Sequence, residues 1–475
     1  MKEIFSYVGG QFLPGPRTFS KRSPVDNSLV ALVHEADEHV VNLAVSAARE
    51  ARQDWEEWDR IDRADLLDRL ASAILERADD LALAEVADIG RSKSEVLAAH
   101  VARTVETFRL YATLLRTESN DAWQGRALSP NIPRNQAPQT LAYTSRRPLG
   151  VVAIIAPWNV PLLLLALNLA PALAAGNCVI AKPSEHSPSS AALLAEILHE
   201  AGLPLGVFNV VHGFGANSTG AILAAHPGID GFGFTGEGRS ATAIMKSAAE
   251  GLRPVLFELG GKNAGLVFAD ADLDKAAQAC ATAAFANSGQ VCLSMERLFV
   301  ERSVFDAFVS KLVENANRHT LGPLISQDHR SHVHEAVKRA RQAGGQCIIG
   351  GEIPEGDGAY YPATILTGLP DDAELSRKET FGPIVHVAPF DSEAEAIARA
   401  NDTEFGLASM VWTNDLSRAH RTAAALKAGI NWVNCWQVRD FITPLQGHGR
   451  SGVGVQGGRE SLEFYSQVTT TVVSL

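Results

Sequence analysis

The sequence is short of cysteine, of positive charge and of unbroken hydrophobic runs, and each shortage closes off a class of protein. Its five cysteines, Cys178, Cys280, Cys292, Cys347 and Cys435, are odd in number, scattered and never spaced Cys-x-x-Cys. That pattern excludes a disulfide-stapled scaffold and points to a reducing compartment. Lys and Arg number 42 against 54 Asp and Glu, a formal net charge of -12, and no basic cluster lies along the chain. Nucleic acids and anionic membranes both require Lys and Arg gathered on one face, so neither is an expected partner. The longest apolar run, Val160 to Ala181, is divided by Pro161, Asn168, Pro171, Gly176 and Asn177. Strand, helix, strand fits it better than a membrane span. Residues 1–20 hold Lys2, Glu3, Gly9, Gly10, Pro14 and Pro16 where a signal peptide has its apolar stretch, so a cytoplasmic location is expected. The 14 histidines show no His-x-x-x-His spacing, and no metal site is expected.

What is present is an α/β pattern. With 475 residues the chain exceeds one ordinary core, and about two to four domains are expected. Residues 38–116 are rich in Ala, Leu, Glu and Arg at helical spacing, as in Leu66, Leu67, Leu70, Ile74 and Leu81. From Arg147 to Leu259, apolar strands near 151–156, 177–182, 206–212, 229–234 and 254–259 alternate with helices opening near 161, 188, 216 and 238. This is the pattern of a doubly wound parallel sheet, and hence of a nucleotide-binding domain. A second α/β alternation follows, with helices at 272–286, 303–316 and 392–400 and strands at 296–300 and near 346 and 384. Residues 117–139 carry Pro130, Pro133 and Pro138 and are expected to form a linker or arm. The alternating tail from Phe464 has no obvious neighbour of its own and is expected to complete another sheet, with a second subunit as one candidate.

Two segments carry the chemistry. Phe257-Glu258-Leu259-Gly260-Gly261-Lys262 and Asn287-Ser288-Gly289-Gln290-Val291-Cys292 supply a carboxylate and a thiol. A thiol attacks as its thiolate, and a carboxylate can take its proton or activate water against an intermediate built on sulfur. A cysteine is more often a small core hydrophobe, so the pair alone does not decide. Gly231-Phe-Gly-Phe-Thr-Gly236 matches Gly-x-Gly-x-x-Gly literally, but its first glycines fall within a strand rather than at a phosphate-binding turn. The Thr235-Gly236-Glu237-Gly238 turn opens a helix whose free N–H groups suit a phosphate or simply start the helix. Lys182-Pro183-Ser184-Glu185 ends a strand at the sheet edge where ligands bind, a place for ribose contacts or for a solvated charge pair. Asn159, in Pro157-Trp158-Asn159-Val160-Pro161, is placed to donate to a developing oxyanion.

Taken together with GPLIS at 322, ETFGPI at 379 and WVNCW at 432, these segments resemble the aldehyde dehydrogenase superfamily over essentially the whole chain. The resemblance implies a Rossmann-type NAD-binding domain at 1–119 and 148–259, an α/β catalytic domain at 260–450, and a small β oligomerisation arm at 120–147 and 456–475. It implies Cys292 as nucleophile, Glu258 as general base, and Asn159 with the Cys292 N–H as oxyanion donors. Lys182 and Glu185 would bind the adenosine ribose, and Glu379 and Phe381 the nicotinamide ribose. Trp158, Ser184, Thr235, Gly236, Glu237 and Leu259 complete the implied cofactor contacts. Glu185 favours NAD over NADP, because a 2'-phosphate would meet a like charge. The partners implied are a small aldehyde and further copies of the chain, as a homodimer or homotetramer.

Within that superfamily the chain is most similar to the 2-hydroxymuconic and 2-aminomuconic semialdehyde dehydrogenases, through SPVDNSLVALVHEA at 23, FNVVHGFG at 208, FTGEGR at 234, GGKNAGLVFADADLDKA at 260 and NCWQVRD at 434. That similarity implies Arg103 and Arg439 as a clamp for a substrate carboxylate, a task suited to planar guanidinium groups. Some positions depart from the pattern. Asn168 and Gln456 stand where a Lys and a Glu of a proposed proton relay are usual, leaving Glu258 and water to act alone. Leu445 and Gln446 are expected to reshape the substrate entrance, and the loop before Gly322 is short. An uncharged aromatic or aliphatic aldehyde is the alternative substrate, and a non-catalytic binding or structural protein on the same fold the alternative role.

Overall fold

Val151–Ala156 reads Val-Val-Ala-Ile-Ile-Ala without alternation, as a strand covered on both faces does. In the structure, a computed structural model that describes residues 2–126 and 130–475, this strand lies inside an eight-stranded sheet. Parallel to it run Cys178–Pro183 and Phe208–Val210 on one side and Gly231–Thr235 and Val255–Glu258 on the other. Helices Pro161–Ala174, Ser189–Glu200, Thr219–Ala225 and Gly238–Glu250 connect them, as the alternation requires. Pro161 opens its helix at the first turn, where a missing N–H costs nothing. The glycines of the Gly231 motif do lie in a strand.

The helical stretch from residue 38 resolves into Glu38–Glu57, Arg60–Glu76, Ala78–Ile89 and Ala102–Thr117, packed on the same core as the large sheet. A π-helical turn at Val96–Val101 precedes the last of these. Two short strands, Ser6–Val8 and Gln11–Leu13, extend the sheet edge antiparallel. A second, seven-stranded sheet runs in the order Gln346–Ile349, Thr364–Thr367, Ile384–Phe390, Arg297–Glu301, Ala264–Val267, Ala408–Trp412 and Ile430–Val433. All its pairings are parallel except the first.

The tail completes another sheet, as expected. Ser466–Ser474 has a partner in its own chain, pairing antiparallel with Gln139–Pro148, which pairs in turn with Ala122–Arg126. These are the two stretches that the family resemblance joined in one arm. Residues 127–129 of the expected arm, like residue 1, lie outside the described residues.

Candidate active site

Because the central strands are parallel, the segments that follow them emerge at one edge, where open α/β sheets bind ligands. Asn159 follows Val151–Ala156, Lys182 lies one residue before the end of its strand, and Thr235 and Glu258 end theirs. A cavity of about 620 Å³ opens there, within the ordinary size of a small-molecule site. It brings together Cys292, Glu258 and Asn159. Seven of the expected cofactor residues also line it: Trp158, Thr235, Gly236, Glu237, Leu259, Glu379 and Phe381.

Cys292 reaches the cavity from the second α/β unit. A single 3-10 turn, Ala286–Gly289, precedes it, with Asn287 and Ser288 at φ of 50° and 55°. Asn287 ties this turn to the first unit, its Nδ2 donating at 3.0 Å to the carbonyls of both Asn159 and Gln290. A Cβ on Gly289 would lie 2.0 Å from the Gly382 carbonyl oxygen, and its φ is +71°, so only glycine fits. Asn263 holds the far side, donating to the carbonyls of Cys292 at 2.7 Å and Ser294 at 2.8 Å. Asn159 spends one N–H of its side-chain amide on the Gln290 carbonyl at 3.0 Å, which leaves the other for the cavity.

Burial opposes ionisation of three groups in the site, Glu258, Glu379 and Cys292. Glu258 is buried, its Oε1 has no hydrogen-bond partner, and its pKa is raised to about 8 by burial, against the opposing charge of Arg439. Glu379 is likewise raised to about 8, by burial and then by the Glu296 carboxylate. The Cys292 thiol, partly open to the cavity, is pushed up to about 12 by burial, with Glu379 and Glu258 adding to it. The thiol therefore stays protonated in the free protein and needs a base as it attacks. Gly260 makes room for Glu379, since a Cβ there would lie 2.0 Å from its Oε2.

A second cavity, of about 560 Å³, is lined by Arg103, Arg439 and Phe441 among others. The Arg103 guanidinium lies 4.1 Å from the Phe441 ring centre and that of Arg439 6.0 Å, so the two cations flank one aromatic. Arg439 donates to the Thr443 carbonyl at 2.9 Å, while its buried Nε is unpaired. Burial lowers the pKa of both arginines, and Glu258 opposes this at Arg439. Arg439 is therefore within electrostatic reach of the carboxylate in the first cavity.

Not every expected residue reaches these walls. Lys182 is buried with its Nζ bonded to the Gly213 carbonyl at 2.7 Å and the Pro183 carbonyl at 2.9 Å, 3.9 Å from Glu185. Ser184 accepts from the His186 N–H at 3.2 Å. Leu445 corrects an expectation: it is buried, its backbone pairs both ways with Gln456 at 2.7 and 2.8 Å, and it lines neither cavity. Asn168 is buried too, accepting from the Tyr465 hydroxyl at 3.0 Å away from the cavity wall. Sequence reasoning missed Asn263, His329 and Glu296. Asn263 directly follows the quoted FELGGK segment and was findable, whereas the other two act only through tertiary contacts.

The sequence matches the model of the Aldehyde dehydrogenase family over residues 13–471. The chain belongs to that family. It is 45% identical to a 2-aminomuconic 6-semialdehyde dehydrogenase from Pseudomonas sp., covering all of this chain and 99% of that one. It is 44% identical to a 2-hydroxymuconic semialdehyde dehydrogenase from Pseudomonas sp. (strain CF600), with both chains fully covered. Among solved structures, the NAD+ complex of an aldehyde dehydrogenase from Bacillus cereus superposes with a TM-score of 0.93 at 34% identity, covering 100% and 97% of the two chains. The aldehyde dehydrogenase fold expected from the motifs is thus the fold of this dehydrogenase.

Proposed function

We propose that this dehydrogenase oxidises a carboxylated semialdehyde of the 2-hydroxymuconic or 2-aminomuconic type to the corresponding acid, with NAD as acceptor and Cys292 as covalent carrier. The observation that carries the substrate class is the pair of arginines, Arg103 and Arg439, sharing one cavity, with Arg439 in electrostatic reach of Glu258. Two guanidinium groups in a half-buried setting favour a substrate carboxylate and give a neutral aldehyde nothing to bind. The names of the two Pseudomonas relatives support the same class.

NAD fits the first cavity on its own evidence. Helix Gly238–Glu250 points its first turn there, and Glu237 at its start makes no capping bond with its side chain, leaving N–H groups for a phosphate. Trp158 and Phe381, edge to face at 5.4 Å, also line that cavity. In this reading Thr235, Gly236, Glu237 and Leu259 line the cofactor, Lys182, Ser184 and Glu185 hold its adenosine ribose, and Glu379 and Phe381 its nicotinamide ribose. When bound, NAD supplies the hydride acceptor that converts the thiohemiacetal on Cys292 into a thioester.

The remaining steps belong to the protein. Cys292 Sγ bonds to the carbonyl carbon as its proton leaves to Glu258 or water, and the carbonyl π electrons move to oxygen. Asn159 Nδ2 and the Cys292 N–H receive that oxyanion, an interaction worth ~10²–10³ in rate per donor. Glu258 then takes a proton from water, hydroxide adds to the thioester, and the Cys292 thiolate leaves with the acid released. Asn168 and Gln456 are both neutral, and the Asn168 side chain is bonded to the Tyr465 hydroxyl, which supports Glu258 and water acting without a charged relay.

The same reading divides the chain into a cofactor domain at 1–119 and 148–259, a catalytic domain at 260–450 and an arm at 120–147 and 456–475. It also makes the protein a homodimer or homotetramer. Trp123, Tyr143, Val468 and Val472 all stand exposed on the three-stranded sheet of the arm, apolar surface of the kind that partners cover. The five free cysteines support a reducing, cytoplasmic setting.

The test compares initial rates of NAD reduction with 2-hydroxymuconic semialdehyde, benzaldehyde and hexanal in wild type, Arg103→Ala and Arg439→Ala. Each substitution is expected to raise KM for the acidic aldehyde by roughly 10–100-fold, the loss of one charged hydrogen bond, and to leave KM for the neutral aldehydes unchanged. Equal activity on all three aldehydes, unmoved by either substitution, would overturn the acidic substrate and keep the enzyme class.

A further inference from the structure

The cavity wall at Glu379–Phe381 belongs to no helix or strand, and Phe381 sits at φ +55°, a conformation that bulky residues adopt only when their surroundings impose it. Beneath it lies Glu296, 4% exposed. Its carboxylate accepts from the Thr380 N–H at 3.0 Å and from the Phe381 N–H at 2.8 Å. Lys262, fully buried, places its ammonium on the same carboxylate. His329 Nε2 donates to the Phe381 carbonyl at 2.8 Å, so both the N–H and the C=O of Phe381 are held. Glu379 Oε1 accepts from the Gly261 N–H at 2.9 Å. The Gly261-Lys262 turn and the Glu379–Phe381 loop are therefore joined in a closed ring, with Glu296 at its centre.

We infer that Glu296, neutralised by Lys262, is a positioning residue for the cofactor: it sets the Glu379–Phe381 wall in its binding geometry before the cofactor arrives. This rests on the NAD reading above. A buried ion pair gains little net stability over an apolar replacement, so fixing a geometry is the better account of its place here. Two backbone N–H groups aimed at one carboxylate also dictate the direction of the loop, which packing alone would not. Glu296 touches no reacting atom. It acts through the loop, whose Phe381 ring stands edge to face on Trp158, next to Asn159. Preorganising the wall removes an ordering cost that binding would otherwise meet.

The test is Glu296→Gln, read by titrating Trp fluorescence with NAD and by KM and kcat. An amide there presents N–H groups to Lys262 and to two backbone donors, so the ring opens on at least one side. The Kd and KM for NAD are expected to rise at least tenfold, with Cys292 alkylation by iodoacetamide in the absence of NAD within twofold of wild type. A merely structural Glu296 would lower Tm and active fraction and leave Kd for NAD unchanged, and that result would overturn the inference. Should the variant fail to fold, hydrogen exchange on the wild type without NAD decides. The Thr380 and Phe381 amides are expected to be protected like those of Ile384–Phe390, and free exchange would overturn the proposal. A wild type with no affinity for NAD would overturn the cofactor reading and this inference together, whereas equal affinity in wild type and variant would overturn this inference alone.

Discussion

Glu258 combines burial, an unpaired Oε1 and a pKa raised to about 8, so most of it is protonated at neutral pH. A protonated carboxyl takes no proton from water. The hydrolytic step is therefore expected to quicken as pH rises from 6, up to tenfold per unit, and to level off above about 8. Single-turnover thioester hydrolysis across pH 6–9 measures this, and a flat profile would contradict it. Stability has the opposite dependence. Between the ordinary 4.5 and about 8 the folded protein keeps a proton that the unfolded chain loses, so Glu258 costs stability as pH rises through that window. Glu258→Gln is expected to be more stable than wild type at pH 8.5, by on the order of 5 kcal/mol, and indistinguishable at pH 4. Thermal melts at the two pH values check it, and a Glu258→Gln that melts no higher at pH 8.5 would contradict it. Cys292, Glu258 and Asn159 were legible because each sits in a compact motif next to a strand end or a turn. Glu296 was not, because its partners are 34 and 84 residues away in the chain. Leu445 was misread because backbone pairing with Gln456, invisible in the sequence, fixes where it lies.

At the scale of elements, the turn Ala286–Gly289 delivers the nucleophile, and Gly289 is its critical position. Gly289→Ala puts a Cβ against the Gly382 carbonyl at a positive φ, a strain of ~1–3 kcal/mol if the turn holds and a displaced Cys292 if it does not. The variant is expected to melt lower and to lose at least tenfold in activity; wild-type kcat with unchanged Tm would show that the turn is not constrained. Continuous apolar runs such as Val151–Ala156 and Cys178–Pro183 were legible as buried parallel strands to within a residue. Ser6–Val8 and Gln11–Leu13 were not, because three residues show no period. Helix Gln327–Gln342 escaped notice because it buries only Val333, Val337 and Ala340 amid charged residues. That helix carries His329, so missing it hid one wall of the cavity.

The whole molecule places a thiol from one α/β unit against a carboxylate and an amide from another, with an arm whose apolar face is uncovered within one chain. Charging that face by Val468→Lys with Val472→Lys is expected to convert a dimer or tetramer into monomers in sedimentation velocity. A wild type that sediments as a monomer at micromolar concentration would contradict the assembly. The α/β alternation of both units could be read from the sequence, and the family resemblance put the tail and residues 120–147 in one β arm, but the register of their pairing, across more than three hundred residues, could not be read. The central claim is that oxidation passes through an acyl group on Cys292 that Glu258 releases. Its most direct test is mass spectrometry of Glu258→Gln mixed with NAD and 2-hydroxymuconic semialdehyde. The expected result is about one acyl adduct per chain on the Cys292 peptide, absent from Cys292→Ala. Product formation with no adduct, or an adduct on another of the five cysteines, would contradict the account.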